Sequence, residues 1–244
     1  MIVNTHYCGY YFLSLTILSN ISIIEAMNWL EKHITLQVYD DKKAERENAY
    51  THFFGSFLSI IGLFLVIFKF KSTTPLPLKV GFIIFALSNI LLYTASGLYH
   101  YLKRGNAKRV CRILDHSNIY FLIAGTYTPI LLYVGSQKCI YLTFFMWFLA
   151  LIGVGFTLIF WGKLKPLHPI LYLLMGWCIV LFWNDVVPFI PKELLYYLIG
   201  GGITYSVGVV FYAIKKIPHY HAIWHTFVLA GSLWFYIGLY RTLL

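Results

Sequence analysis

Residues 79–101 read Lys79-Val-Gly-Phe-Ile-Ile-Phe-Ala-Leu-Ser-Asn-Ile-Leu-Leu-Tyr-Thr-Ala-Ser96-Gly-Leu-Tyr-His100-Tyr101, and the next formal charge is Lys103. A helix needs about 20 predominantly apolar residues to cross roughly 30 Å of hydrocarbon. This stretch meets that requirement and predicts a transmembrane helix that carries polar groups, Ser96 and His100, at one end.

Six further apolar runs of similar length flank it, at residues 50–68, 114–134, 139–161, 167–187, 194–214 and 221–241. Turn-forming residues separate them: Pro75 and Pro77, Gly105-Asn106, Gly135-Ser136, Pro166 with Pro169, Pro188 with Pro191, and Pro218. The whole chain is 59% hydrophobic and only 11% charged, with mean hydropathy +0.72, whereas soluble domains carry roughly 25% charged residues. The expected fold is therefore all-α, a polytopic membrane protein built as a seven-transmembrane-helix bundle over residues 50–244.

A net charge of +10 would suggest a nucleic-acid partner if the basic residues were clustered in a soluble domain. Here they sit between apolar runs, and no nucleic-acid motif accompanies them. Lys32, Lys42, Lys43 and Arg46 precede the first run; Lys103, Arg104, Lys108, Arg109 and Arg112 follow the second; two more lie in each of the fourth and sixth loops. The opposite side has Lys69, Lys71, Lys79, Lys138, Lys192 and Arg241. Because basic loops are retained inside, the N-terminal side is expected to be cytoplasmic and the protein to lie in the plasma (inner) membrane.

Residues 1–49 form a separate N-terminal segment. Residues 10–26 are apolar but lack a basic n-region or a small-residue cleavage pattern, which argues against a signal peptide and leaves an extra apolar helix or an interfacial one. From Glu31 to Asn48 charges alternate densely, as in a solvated amphipathic lead-in. Cys8, Cys111, Cys139 and Cys178 are far apart, so neither a disulfide framework nor a thiolate metal site is indicated. Any metal would be held by imidazole and oxygen.

His221 and His225 stand i, i+4, one helical turn apart on one face, a spacing that can span a single ion. The charge count puts them on the same membrane side as His100. Ser96, i, i+4 with His100, shares its helix face. Histidines also gather at helix ends because the headgroup region tolerates polar rings, but three converging on one side suggest a three-histidine zinc site with a polar surround. Asp115 opens the third run on that side. An acid inserted at a helix centre costs about 2.5–3.5 kcal/mol, so it should face the bundle interior, or else serve as a helix N-cap. His52 is expected to hydrogen-bond a neighbouring helix. His116, about 100° around the helix from Asp115, is expected to point away from the site, and His168 and His219 read as interface residues. Gly200, Gly201 and Gly202 would permit close helix packing.

Several ordered blocks resemble the haemolysin III proteins, bacterial-type members of the progestin and adipoQ receptor family. They are Glu45 with Asn48-Ala-Tyr-Thr-His52-Phe-Phe-Gly55, Ser96-Gly-Leu-Tyr-His100, Asp115-His-Ser-Asn-Ile-Tyr-Phe-Leu-Ile-Ala-Gly-Thr-Tyr-Thr-Pro129, Tyr172-Leu-Leu-Met-Gly-Trp177, Gly200 to Tyr212, and His221-Ala-Ile-Trp-His225-Thr-Phe-Val-Leu-Ala-Gly231. The resemblance runs from about residue 45 to the C-terminus. It implies a seven-helix fold with an intramembrane zinc site near the cytoplasmic face, with His100, His221 and His225 as ligands and Asp115 and Ser96 positioning water at the ion.

Three imidazoles leave a tetrahedral Zn²⁺ one open position, an arrangement suited to catalysis. With Asp115 as proton carrier, the expected activity is hydrolysis of an amide or ester bond of a membrane lipid that enters from the bilayer, which the family resemblance implies is ceramidase-like. Two other readings stand beside it. One is a membrane-permeabilising haemolysin; the other is a receptor or regulator in which zinc only clamps helices.

Overall fold

The computed structural model describes residues 23–36, 42–164 and 167–244. Residues 23–33 form helix α1. Seven longer helices follow: α2 (Lys42–Lys69), α3 (Leu76–Tyr101), α4 (Asn106–Val134), α5 (Gln137–Ile159), α6 (Leu167–Phe189), α7 (Lys192–Ala213) and α8 (Tyr220–Thr242). All seven are long and apolar enough to cross a membrane, and no strand occurs among the described residues. The apolar stretch 10–26 lies, up to residue 22, outside the described residues.

Most helix limits fall within a few residues of the apolar runs. Two do not. α2 begins at Lys42 and α4 at Asn106, so each carries charged turns ahead of its apolar part. This changes the reading of Asp115. The residue before α4 is Gly105, and Asp115 lies more than two turns inside the helix, where every backbone N–H already has an i−4 carbonyl. It is not an N-cap.

The bundle turns large apolar side chains outward and admits polar ones to an otherwise apolar core, as expected where the surrounding solvent is hydrocarbon. Phe68, Phe144 and Leu181 are exposed, while His52, Asn89, Ser96, Asn118 and Ser232 are buried. Lipid tails are as apolar as leucine, so helices associate through tight packing and interhelical hydrogen bonds. Both are present. A methyl group added at Gly81 of α3 would come within 2.8 Å of the Pro129 backbone of α4. One at Gly201 of α7 would come within 2.8 Å of the Phe235 ring of α8, which accounts for part of the expected glycine packing. Tyr93 donates to Ser232 Oγ at 2.7 Å, and the Tyr205 hydroxyl meets the same oxygen at 2.8 Å, joining α3, α7 and α8.

α4 is the central helix: 67% of its membrane window is buried within the protein, against 17% for α6. α6 is also irregular, passing from α-helix (Leu167–Gly176) into 3-10 turns at Trp177–Phe182 and Val187–Phe189. Backbone groups released in hydrocarbon must find partners. Tyr127 of α4 supplies them, its hydroxyl donating to the Gly176 carbonyl and accepting from Ile179 N–H, both at 2.8 Å. The loosely packed α6 leaves room for a cavity of about 590 Å³ walled by residues of α4, α6, α7 and α8.

Candidate metal centre

His100 closes α3, and His221 and His225 occupy the first turns of α8. The two helices meet so that Nε2 of His221 lies 3.2 Å from Nε2 of His100. One nitrogen from each of the three rings falls within 4.8 Å of the others. Ligand nitrogens at 2.0–2.1 Å around a tetrahedral ion stand about 3.3 Å apart. The cluster is thus already close to ligating geometry, and it could hold a metal ion.

α2 braces this cluster. The His225 Nδ1–H donates to the Asn48 carbonyl at 3.1 Å, with the Thr51 hydroxyl at the same distance. A carbonyl only accepts, so Nδ1 carries the proton and Nε2 is left with its lone pair as the ligand. Glu45 Oε1 sits 3.6 Å from His100 Nδ1. Its other oxygen accepts from Lys108, which also donates to the Leu102 carbonyl at the C-terminal end of α3. At the start of α8, His219 adopts a left-handed backbone with φ 57°, and its ring meets the Glu47 carboxylate. Non-glycine residues take that conformation at a cost; here it coincides with a contact that fixes where α8 begins.

The remaining sequence candidates divide. Ser96, wholly buried one turn before His100, faces the Asp115 carboxylate. Asp115 lines the same cavity as His221 and His225. His116 was expected to leave the site, but its Nδ1 lies 3.5 Å from Asp115 Oδ2, because a side chain adjacent in sequence can fold back along the helix even when its Cβ points away. That nitrogen also donates to the Arg112 carbonyl. His52 does not hydrogen-bond a neighbouring helix. Its ring stacks on His225 with centroids 3.5 Å apart and planes 14° from parallel, and both ring nitrogens lack a hydrogen-bond partner. Glu45 and Asn48 were not assigned roles from sequence, although with His52 their i, i+3, i+7 spacing marks one face of a helix.

The family described as Haemolysin-III related matches residues 41–236. The chain belongs to the haemolysin III-related family. Its relatives include the Hemolysin-3 homolog of Bacillus subtilis (strain 168), 43% identical over 194 residues, which cover 78% of this chain and 90% of the relative. Hemolysin-3 of Bacillus cereus is 37% identical over 78% of this chain and 87% of its own length. The Homo sapiens protein named Monocyte to macrophage differentiation factor is 29% identical over 80% of the chain and 83% of its own length. The match to the haemolysin III-related family begins where α2 begins, so it takes in Glu45, Asn48 and His52 together with the three histidines.

Proposed function

We propose that this haemolysin III-related protein is a zinc-dependent hydrolase that cleaves an amide or ester bond of a membrane lipid. The observation that carries the reading is a shared space. Asp115, His52, His221 and His225 line one part of the 590 Å³ cavity, and Leu122, Ile123, Leu198 and Val228 are among its apolar walls. Cavities of about 300–1,000 Å³ with few polar groups in apolar surroundings are the usual form of small-molecule sites.

A zinc ion held by His100, His221 and His225 would polarise a carbonyl and lower the pKa of water to about 7. The chain's own residues supply the rest. The Asp115 carboxylate accepts the proton released from water and returns it to the departing nitrogen or oxygen. Ser96, whose buried Oγ has no hydrogen-bond partner, is available to orient the water or the developing oxyanion, and His116 supports the Asp115 carboxylate from the adjacent position. The hydrogen bond from His225 to Asn48 holds one ligand ring in the tautomer that leaves Nε2 available. The apolar walls accommodate an acyl chain and exclude bulk water, which strengthens each electrostatic contact inside.

The test is metal analysis and lipid-product mass spectrometry on wild type and Asp115→Asn. The expected result is an unchanged zinc content with loss of product from the variant. Turnover that persists in Asp115→Asn overturns the catalytic role. Zinc lost from a His221→Ala, His225→Ala double variant with product formation intact would reduce the ion to a helix clamp.

A further inference from the structure

One turn before Asp115 on α4 lies Arg112, a second buried charge that the mechanism above does not use. It is 6% exposed. Its polar contact is a 3.3 Å hydrogen bond from a terminal nitrogen to Thr35 Oγ1, and its guanidinium lies 5.2 Å from the Trp161 ring and 5.9 Å from the Tyr99 ring. Among the described residues no carboxylate reaches it, and its Nε has no hydrogen-bond partner. Buried charges are ordinarily paired or fully hydrogen-bonded, so among the described residues this guanidinium is short of an acceptor.

It is not alone. Trp161 Nε1 and His168 Nδ1 are likewise buried without partners. Both residues line the same cavity as Arg112, together with His116 and Lys215. His116 lies 5.3 Å from the Trp161 ring. A guanidinium, an indole N–H and an ammonium can only donate. The one acidic residue on this wall, Asp115, has His116 beside it. Buried donors that outnumber the acceptors beside them call for an acceptor-only anion, and a phosphate, with several oxygens, suits more than two converging donors better than a carboxylate does.

We propose that Arg112, Trp161, His168 and Lys215 bind the phosphate of an anionic membrane lipid at the mouth of the cavity. These residues come from the ends of α4 and α7, the start of α6 and the segment after α5, so the pocket sits at the end of the bundle. The cavity beyond it is largely apolar, which fits a headgroup outside and acyl chains within. Arg112 and Asp115 stand i, i+3 on one helix face, about one 5.4 Å turn apart at most. A phosphate on Arg112 therefore places the few atoms linking it to an acyl carbonyl beside Asp115 and the histidines. The inference deepens the lipid-hydrolase reading by naming the headgroup. It is tested by binding alone, so absence of turnover would count against that reading and leave this one standing.

The full chain, purified in neutral detergent, is titrated by native mass spectrometry with phosphatidylglycerol and with diacylglycerol of the same acyl chains, which lacks the phosphate. Wild type should hold the anionic lipid about tenfold more tightly. Arg112→Gln should bring the two lipids to near-equal affinity with metal content unchanged, and Lys215→Gln, at an exposed position that folding tolerates, should narrow the gap partway. Millimolar inorganic phosphate should leave the lipid bound. Equal affinity of wild type for both lipids, a preference that survives Arg112→Gln, or displacement by inorganic phosphate alone overturns the proposal.

Discussion

Glu45 Oε1 lies 3.6 Å from Nδ1 of His100, while the other oxygen of the same carboxylate accepts a hydrogen bond from Lys108 at 3.0 Å. A carboxylate behind a ligand histidine orients the ring and raises its basicity, and removing such a group typically costs about 10–100-fold in metal affinity. Glu45→Ala should therefore lower zinc affinity by about that factor in a chelator competition. Glu45→Gln, which keeps the shape and loses the charge, should fall between. Wild-type affinity in both variants would show that Glu45 serves only to anchor Lys108.

His52 gives a prediction of opposite sign for two substitutions. Its nitrogens lack partners and its ring stacks on His225. His52→Phe keeps the stack and should leave the unfolding temperature at or above wild type. His52→Ala opens a buried space and should destabilise by about 2–4 kcal/mol, measured by thermal unfolding in detergent. Loss of metal from His52→Phe would contradict a purely packing role.

The α6 junction rests on one hydroxyl. Tyr127→Phe deletes both bonds to the chain at Gly176 and Ile179, at a cost of about 1–3 kcal/mol. Hydrogen exchange should accelerate over residues 176–179 while α4 itself stays protected. Uniform exchange across both helices would mean that the irregular turn is held by something else.

The close approach of α3 and α4 at Gly81 is backbone against backbone, so no flexible side chain can yield. Gly81→Ala should destabilise by about 1–3 kcal/mol through overpacking. Gly155, where an added methyl meets nothing within 4 Å, should accept alanine with no loss. Equal melting temperatures for the two variants would refute this packing argument.

Hydropathy made the seven spans legible, because a membrane imposes length and composition together. It failed at the starts of α2 and α4, where Lys42 to Arg46 and Lys108 to Arg112 resemble loop sequence although Lys108 and Arg112 are buried. Charged turns at a bundle end can pack against one another, and no window average registers that. The His221–His225 pair was legible because its i, i+4 spacing is local, while His100, 121 residues away, was joined to it only by the membrane side expected from the charge count. The support from α2 was not legible, since Glu45, Asn48 and Thr51 acquire meaning only when α8 comes to rest beside them. His116 was misread because an angle around a helix axis says nothing about how far an imidazole reaches.

The metal cluster joins positions 121 residues apart, His100 and His221, and its brace on α2 spans 177 residues, from Asn48 to His225. During synthesis the first six membrane-spanning helices, α2–α7, can be made and inserted while the centre still has one of its three histidines. The other two arrive together on α8. An ion held by all three rings would therefore report that this last helix has been translated and docked, so that a nascent chain arrested before α8 would carry His100 and Asp115 without a complete centre.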